Sequence, residues 1–319
     1  MSALLPDWWE DKAADSIDGA WELVIHLARR LSLDAAALSK GIILPTGAVS
    51  NISFKRNAAI STEAITASSL LASSLSYAIL SATNTKYLKP SANSMDVHQS
   101  IRDAGNGTAD FDGLLSYCWN SGIPVIPLAN LPVGLRKMDG AALRVGDRPV
   151  IVIARKNDSK SWLSFILAHE LGHIALGHLQ KNSSIIDVSL QKESTFASDK
   201  PADKMEKDAD SFALDILGGP LANSAQSAWN ERDAATKLAV NAREASGRIG
   251  CSAGHLILRY AFRTRRWPEA ISALKFLRED FDAQQAVVEK MSNFIHFDDL
   301  AEDMQDLISK VTGMVNPHI

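Results

Sequence analysis

The sequence predicts an α+β protein: a small mixed sheet packed on one long buried helix, with helical regions before and after it. Three observations carry that prediction. Segments 17–82 and 221–319 space their apolar residues three and four apart, as in AWELVIHLARRL and TEAITASSLLASSLSYAILSA. Between them, IPVIPL, GAALRV and RPVIVIA are brief β-branched runs split by Pro, Gly and Gly-Asp turns. The run SWLSFILAHELGHIALGHL follows directly, apolar enough along its length for a helix largely buried in a core. Three segments result: a helical region and linker over 1–109, a core over 110–220, and a helical region over 221–319.

Taken in order, the first segment reads as two helices with Gly, Pro and Asn between them. A loose helix-turn-helix can be drawn from Leu33 to Arg56, ending on Lys55 and Arg56. LKPSANSMDVHQSIRDAGNGTAD is rich in turn formers and reads as the linker. FDGLLSYCWNSG then forms a short helix closed by Gly122. Gly146-Asp147 joins the second and third strands as a tight hairpin, and Pro149 suits an edge strand better than the middle of a sheet. Asp158 or Ser159 caps the next helix. Lys181 to Ala202 is polar and irregular, read as a mobile loop. PADKMEKDADSFALDILGGP resumes a helix that Gly218, Gly219 and Pro220 stop. The remainder is helical, broken near Arg248 to Gly254 and around Trp267-Pro268.

Bulk properties exclude several classes. A chain with 46% hydrophobic and 22% charged residues can bury a substantial core. No apolar run is long enough to span a bilayer, and the start, MSALLPDWWEDKAAD, is acidic and aromatic where a signal peptide would be basic and then apolar. A cytoplasmic location is the expectation. Cys118 and Cys251 are the only cysteines and belong to no C-x-x-C pair, which argues against a disulfide framework and against a thiolate metal site. A net charge of −4 argues against nucleic-acid binding over the whole surface.

His169-Glu170-Leu171-Gly172-His173 is the feature with most chemistry in it. On a helix, histidines at i and i+4 lie one above the other, so both imidazoles can reach one cation. Glu170 projects beside them, placed to take a proton from a water at that cation. A catalytic site of this kind needs a third protein ligand. A histidine in the spacing H-E-x-x-H-x-x-G-x-x-H would stand at 179, which is Leu179. His178 is one residue early and, nine residues on from His169 in a continuous helix, would face the other way, a surface or locally bonded histidine. A carboxylate from the later helix is the other arrangement. Glu206 fits it, with Asp210 one turn on to accept the second ring N–H of a ligand histidine. Asp208 and Glu193 compete for the same role.

The pattern His169-Glu170-x-x-His173 followed by Glu206-x-x-Ala209-Asp210-x-Phe212-Ala213 resembles the ImmA/IrrE metallopeptidases, whose second motif is E-x-x-A-N-x-F-A. Trp119-x-x-Gly122-Ile123-Pro124-Val125, Lys137-Met138-Asp139-Gly140 and Arg148-Pro149-Val150-Ile151-Val152 also look like that family's long members. The resemblance covers about Leu114 to Pro220, and Asp210 departs from it where Asn is usual. It implies a zinc-dependent, gluzincin-like cytoplasmic protease acting on a specific regulatory protein, usually a helix-turn-helix repressor, in a stress, mobile-element or antiphage response. Carried onto this chain, His169, His173 and Glu206 hold Zn²⁺, Glu170 activates water, and Cys118 is admitted as an inhibitory thiolate over the zinc.

Further residues complete the reading. RPVIVIA is the strand best suited to pair with an extended substrate. His255, Arg259 and Tyr260 in GHLILRYAF are candidates for oxyanion or substrate contacts. Arg259, Arg263, Arg265 and Arg266, flanked by Tyr260, Phe262 and Trp267, have a composition suited to single-stranded DNA, against a solvated helix end as the plainer reading. The rival to a protease is a metal-containing regulatory protein that binds DNA or a partner without cleaving anything.

Overall fold

The hairpin at Gly146-Asp147 lies at the centre of a five-stranded sheet in the computed structural model, which describes residues 4–6, 8–47, 53–56, 62–106, 108–128, 130, 139–154, 159–187, 202–226, 229–230, 233–277 and 281–315. Its strands are β1 (Ser53–Arg56), β2 (Val125–Pro127), β3 (Gly140–Val145), β4 (Arg148–Ile153) and β5 (Ser183–Asp187), in the spatial order β1-β5-β3-β4-β2. β3 pairs antiparallel with both β4 and β5, while β1 runs parallel to β5 and β2 parallel to β4. Gly146 turns the hairpin at φ 61°, a left-handed conformation that glycine adopts at least cost.

Three expectations about strands are corrected here. β4, the RPVIVI run, is interior, flanked by β3 and β2, so it offers no open edge to a substrate. Pro149 is accommodated because the pairing with β2 begins only at Ile151, leaving no ladder bond to β2 for its missing N–H to break. The stretch read as a loop after Lys181 contains β5, whose Ser183 and Ser184 are buried. Among the described residues of the drawn helix-turn-helix, 33–47 and 53–56, the helix is the four-residue α2 (Ala35–Leu38), and Lys55 and Arg56 belong to β1, which completes the sheet against β5.

The helices follow their local signals. α1 (Ile17–Arg30) starts on Ser16, whose hydroxyl accepts from Gly19 N, and α3 (Thr62–Ser81) packs against β3 and β4. Arg148 caps the end of α3, donating to the carbonyls of Leu80 and Thr83 (both 3.2 Å) and of Thr85 (3.0 Å). The turn-rich linker contains α4 (Ser94–Ile101), capped by Asn93, which buries Val97, His98 and Ile101 against a later helix. α5 (Phe111–Asn120) is capped by Asp110 and leads through Gly122, at φ 70°, into β2.

The three sequence segments share one apolar core. It runs from Leu4 and Leu71 through Phe111, Val150 and Phe165 to Phe212, Met291 and Val311. An Arg30–Asp306 ion pair ties α1 to a C-terminal helix, and a smaller cluster around Leu238, Leu256, Tyr260 and Ala273 holds residues 235–277 together. Among the described residues, no helix is long and apolar enough to cross a membrane.

Candidate metal centre

Two helices build the site. α6 (Lys160–Ala175) begins on Ser159, whose hydroxyl accepts from Trp162 N, and is buried from Ser161 to Ala175. Its aromatic side chains form a wall with those of the C-terminal region: Trp162 stacks near Phe165, Phe165 lies 4.7 Å from Phe262, and Trp267 meets Phe262 edge-on. Phe165 brings that wall to 6.0 Å from the His169 ring. α7 (Ala202–Gly218) crosses α6 where both helices carry small residues. A Cβ on Gly172 would stand 3.2–3.3 Å from Phe212 Cδ1 and the backbone of Ala209, so the two backbones approach as closely as the missing side chain allows. This close crossing places Glu206 and Asp210 beside His169 and His173.

The donor atoms converge. His169 Nε2 lies 3.0 Å from His173 Nε2 and 3.3 Å from Glu206 Oε2, and His173 Nε2 lies 3.6 Å from the same oxygen. Four-coordinate zinc with bonds of about 2.0–2.1 Å holds neighbouring ligand atoms roughly 3.3 Å apart, so the triangle has the size a tetrahedral ion requires. Its electrostatics point the same way. Asp210 Oδ1 lies 2.9 Å from His169 Nδ1 and, as a carboxylate, can only accept. His169 therefore donates from Nδ1 and, when neutral, aims the Nε2 lone pair at the cluster. Burial alone would raise the carboxyl pKa of Glu206, but hydrogen bonds from and the charge of His169 and His173 hold it well below the usual carboxylate range. Those hydrogen bonds require protonated Nε2 atoms; when both Nε2 lone pairs face inward instead, all three atoms are acceptors, and a cation between them takes the place of the protons. Among the described residues these three are the group able to hold a metal ion.

Glu170 is fully buried one residue from His169 and points at the start of β3. A side chain on Gly140 would overlap its Oε1 and come within 2.9 Å of Ile166 Cγ2. Gly140→Ala is therefore expected to displace the Glu170 carboxylate: metal affinity should stay near wild type while turnover falls, and unchanged turnover would show that the carboxylate has room to move.

The remaining candidates are placed as follows. His178 does not face away, because α6 ends at Ala175 and the chain turns back. Its Nδ1 lies 2.9 Å from His173 Nδ1, with the ring half-buried, so it is locally bonded to a residue of the cluster. Burial, and then the nearby His173, push its pKa down to about 4. Asp208 turns to the surface and pairs with Lys204 at 2.8 Å, which removes it as a third ligand. Glu193, Asp158, Lys137 and Met138 lie outside the described residues.

Cys118, read as a candidate thiolate over the metal, is placed among the buried core residues. It sits on α5, is fully buried in apolar surroundings that raise its pKa, and does not belong to the metal-capable group. His255, Arg259 and Tyr260 lie on α8 (Ala253–Thr264), where they pack at the far end of α7. Arg259 donates to Leu214 O at 2.8 Å and to Asn223 Oδ1 at 2.6 Å, while His255 packs on Gly218 and Tyr260 is fully buried. Gly218 is twelve residues past Glu206, about 18 Å along the helix axis.

The same placement bears on the arginine cluster. Arg259 is committed internally, Arg266 pairs with Glu269 at 2.6 Å, and Arg263 and Arg265 are exposed. Tyr260 and Phe262 are buried, and Trp267 is half-buried within the aromatic wall.

No protein-family model matches this chain, and neither a curated protein nor a solved structure does.

Burial first, and then the Arg259 guanidinium, hold the His255 pKa down to about 3. A histidine depressed in the folded state binds its proton more readily when unfolded. Its contribution to stability is complete above about pH 6.5 and is lost as the pH falls towards 3. The unfolding free-energy difference between wild type and His255→Leu should therefore shift against wild type on acidification, by at most about 1.4 kcal/mol per pH unit. Denaturant titrations at pH 7, 6 and 5 measure it, and parallel curves would contradict it.

Proposed function

We propose that this protein is a zinc metalloendopeptidase that cleaves a specific regulatory protein, with a helix-turn-helix repressor as the first substrate class to test. The observation that carries the reading is the convergence of His169, His173 and Glu206 into a triangle of tetrahedral size, with Glu170 on the same buried helix turn. The likeness of these residues to the ImmA/IrrE motifs supports the repressor as substrate.

In this mechanism His169, His173 and Glu206 hold the metal, which when bound polarises the scissile carbonyl and acidifies water. Glu170 takes the proton from the attacking water and delivers it to the leaving amine, a transfer for which a buried carboxylate beside the ligands is suitably placed. Asp210 fixes the His169 ring by accepting its Nδ1 proton. Gly140 leaves the space that the Glu170 carboxylate occupies. The aromatic wall of Trp162, Phe165, Phe262 and Trp267 keeps one side of the site dry, strengthening every electrostatic interaction in it.

The test is co-expression with the repressor encoded beside the gene, read by mass spectrometry for new termini. Where no such neighbour exists, a proteome-wide comparison of termini serves. New termini should appear with zinc-loaded protein and be absent after chelation. Identical termini in both samples would rule out metal-dependent cleavage.

A further inference from the structure

We infer that His178 is the positioning residue for His173, holding that ring in the tautomer that presents Nε2 to the metal. The inference rests on the metal-centre reading and deepens it. For His173 to offer the Nε2 lone pair it must keep its proton on Nδ1, and that proton needs an acceptor. The atom in place is His178 Nδ1, at 2.9 Å. His178 must then be neutral, with its own proton on Nε2, so the two metal-facing histidines have unlike supports: a carboxylate behind His169 and an uncharged imidazole behind His173.

The helix terminus explains how a residue five positions on comes to lie there. Leu176 ends α6, and Gly177 follows in the left-handed conformation at φ 76°. Gly177 N donates to Ile174 O at 3.3 Å and His178 N donates to His173 O at 3.0 Å. These are the paired reversed bonds of a glycine-closed helix end, in which the residue after the glycine folds back over the last turn. His178 is therefore bound to His173 twice, through the main chain and through the ring, and its side chain has little freedom to leave. The sequence signal is His173-x-x-x-Gly177-His178, in which the glycine supplies the turn and the histidine the acceptor.

An uncharged acceptor also suits the local charge. Glu170, Glu206 and Asp210 already bring three buried carboxylates to this region, and another at position 178 would add a further negative charge to be compensated. Imidazole accepts the hydrogen bond without that addition.

The experiment compares Zn²⁺ affinity of the full chain, stripped of metal and titrated in competition with a chromogenic chelator at constant pH. The proteins are wild type, His178→Phe and His178→Ala, which remove the acceptor, and His178→Gln, whose amide oxygen restores it. Circular dichroism confirms that each is folded. The acceptor-less variants should bind zinc roughly 10-fold to 100-fold more weakly, and the Gln variant should recover most of that loss. The visible spectrum of bound Co²⁺ should change in the Phe and Ala variants and return towards wild type in the Gln variant. Equal affinity in wild type and both acceptor-less variants overturns the assignment, as does an equal loss in all three variants. Failure of the wild type to bind zinc would instead overturn the metal-centre reading itself.

Discussion

Replacing Glu170 by Gln is expected to slow peptide-bond hydrolysis by roughly 10²–10⁴-fold while zinc stays bound, because a positioned proton-transfer group contributes about that much. The substitution keeps the shape of the side chain in its place against Gly140 and removes only its capacity to carry a proton. Glu170 is not one of the three converging donors, so the metal content of the purified variant should equal that of wild type. Two measurements on the same sample decide the matter: metal per chain, and the rate at which new termini accumulate. Full activity would remove Glu170 from the reaction, and loss of metal would make it a ligand.

Glu206→Ala is expected to have the largest effect on binding and on metal-linked stability. It leaves two imidazoles of the three converging donors, and Asp208, the other candidate on α7, is turned outward to Lys204. A metal that binds only the folded protein stabilises it by about 4 kcal/mol when its free concentration is a thousandfold above the dissociation constant. Wild-type protein should therefore melt several degrees higher with zinc than with chelator. The variant's melting temperature should respond little. A zinc-dependent rise as large as that of wild type would show that Glu206 contributes nothing to holding the ion.

Much of this arrangement is legible in the sequence. The Gly146-Asp147 hairpin, the Ser159 cap, the buried run around His169 and the Gly218-Gly219 stop are local signals, each satisfied within a few residues of chain, and they place both helices of the site. Glu206 and Asp210 follow from helical spacing once α7 is drawn. What escapes is whatever depends on distant partners. β5 buries Ser183 and Ser184, residues that read as surface, because β1 and β3 pair with it on either side. β1 has four residues and no hydrophobic alternation to betray it. α4 is hidden among turn formers, with only Val97, His98 and Ile101 forming its inner face. His178 faces away only in a helix that continues past Ala175, whereas the turn at Gly177 brings it back. The packing of His255 and Arg259 at the far end of α7 depends on where along that helix a residue docks, and no spacing rule reports that.

The contact of Gly172 with Ala209 would govern how an ion held by His169, His173 and Glu206 could leave. Two donors are rooted on α6 and the third on α7, and the helices already touch backbone to side chain at their crossing. Neither histidine can withdraw far by a rotamer change alone, since His169 is held by Asp210 and His173 by His178. If an ion is held there, its release is expected to involve Glu206 and the α7 backbone that carries it moving away from α6, an opening that would wet Ala209 and Phe212 together. Metal exchange should accordingly be slow and should keep pace with amide hydrogen exchange in α7, making the residence time of the ion a clock for local unfolding.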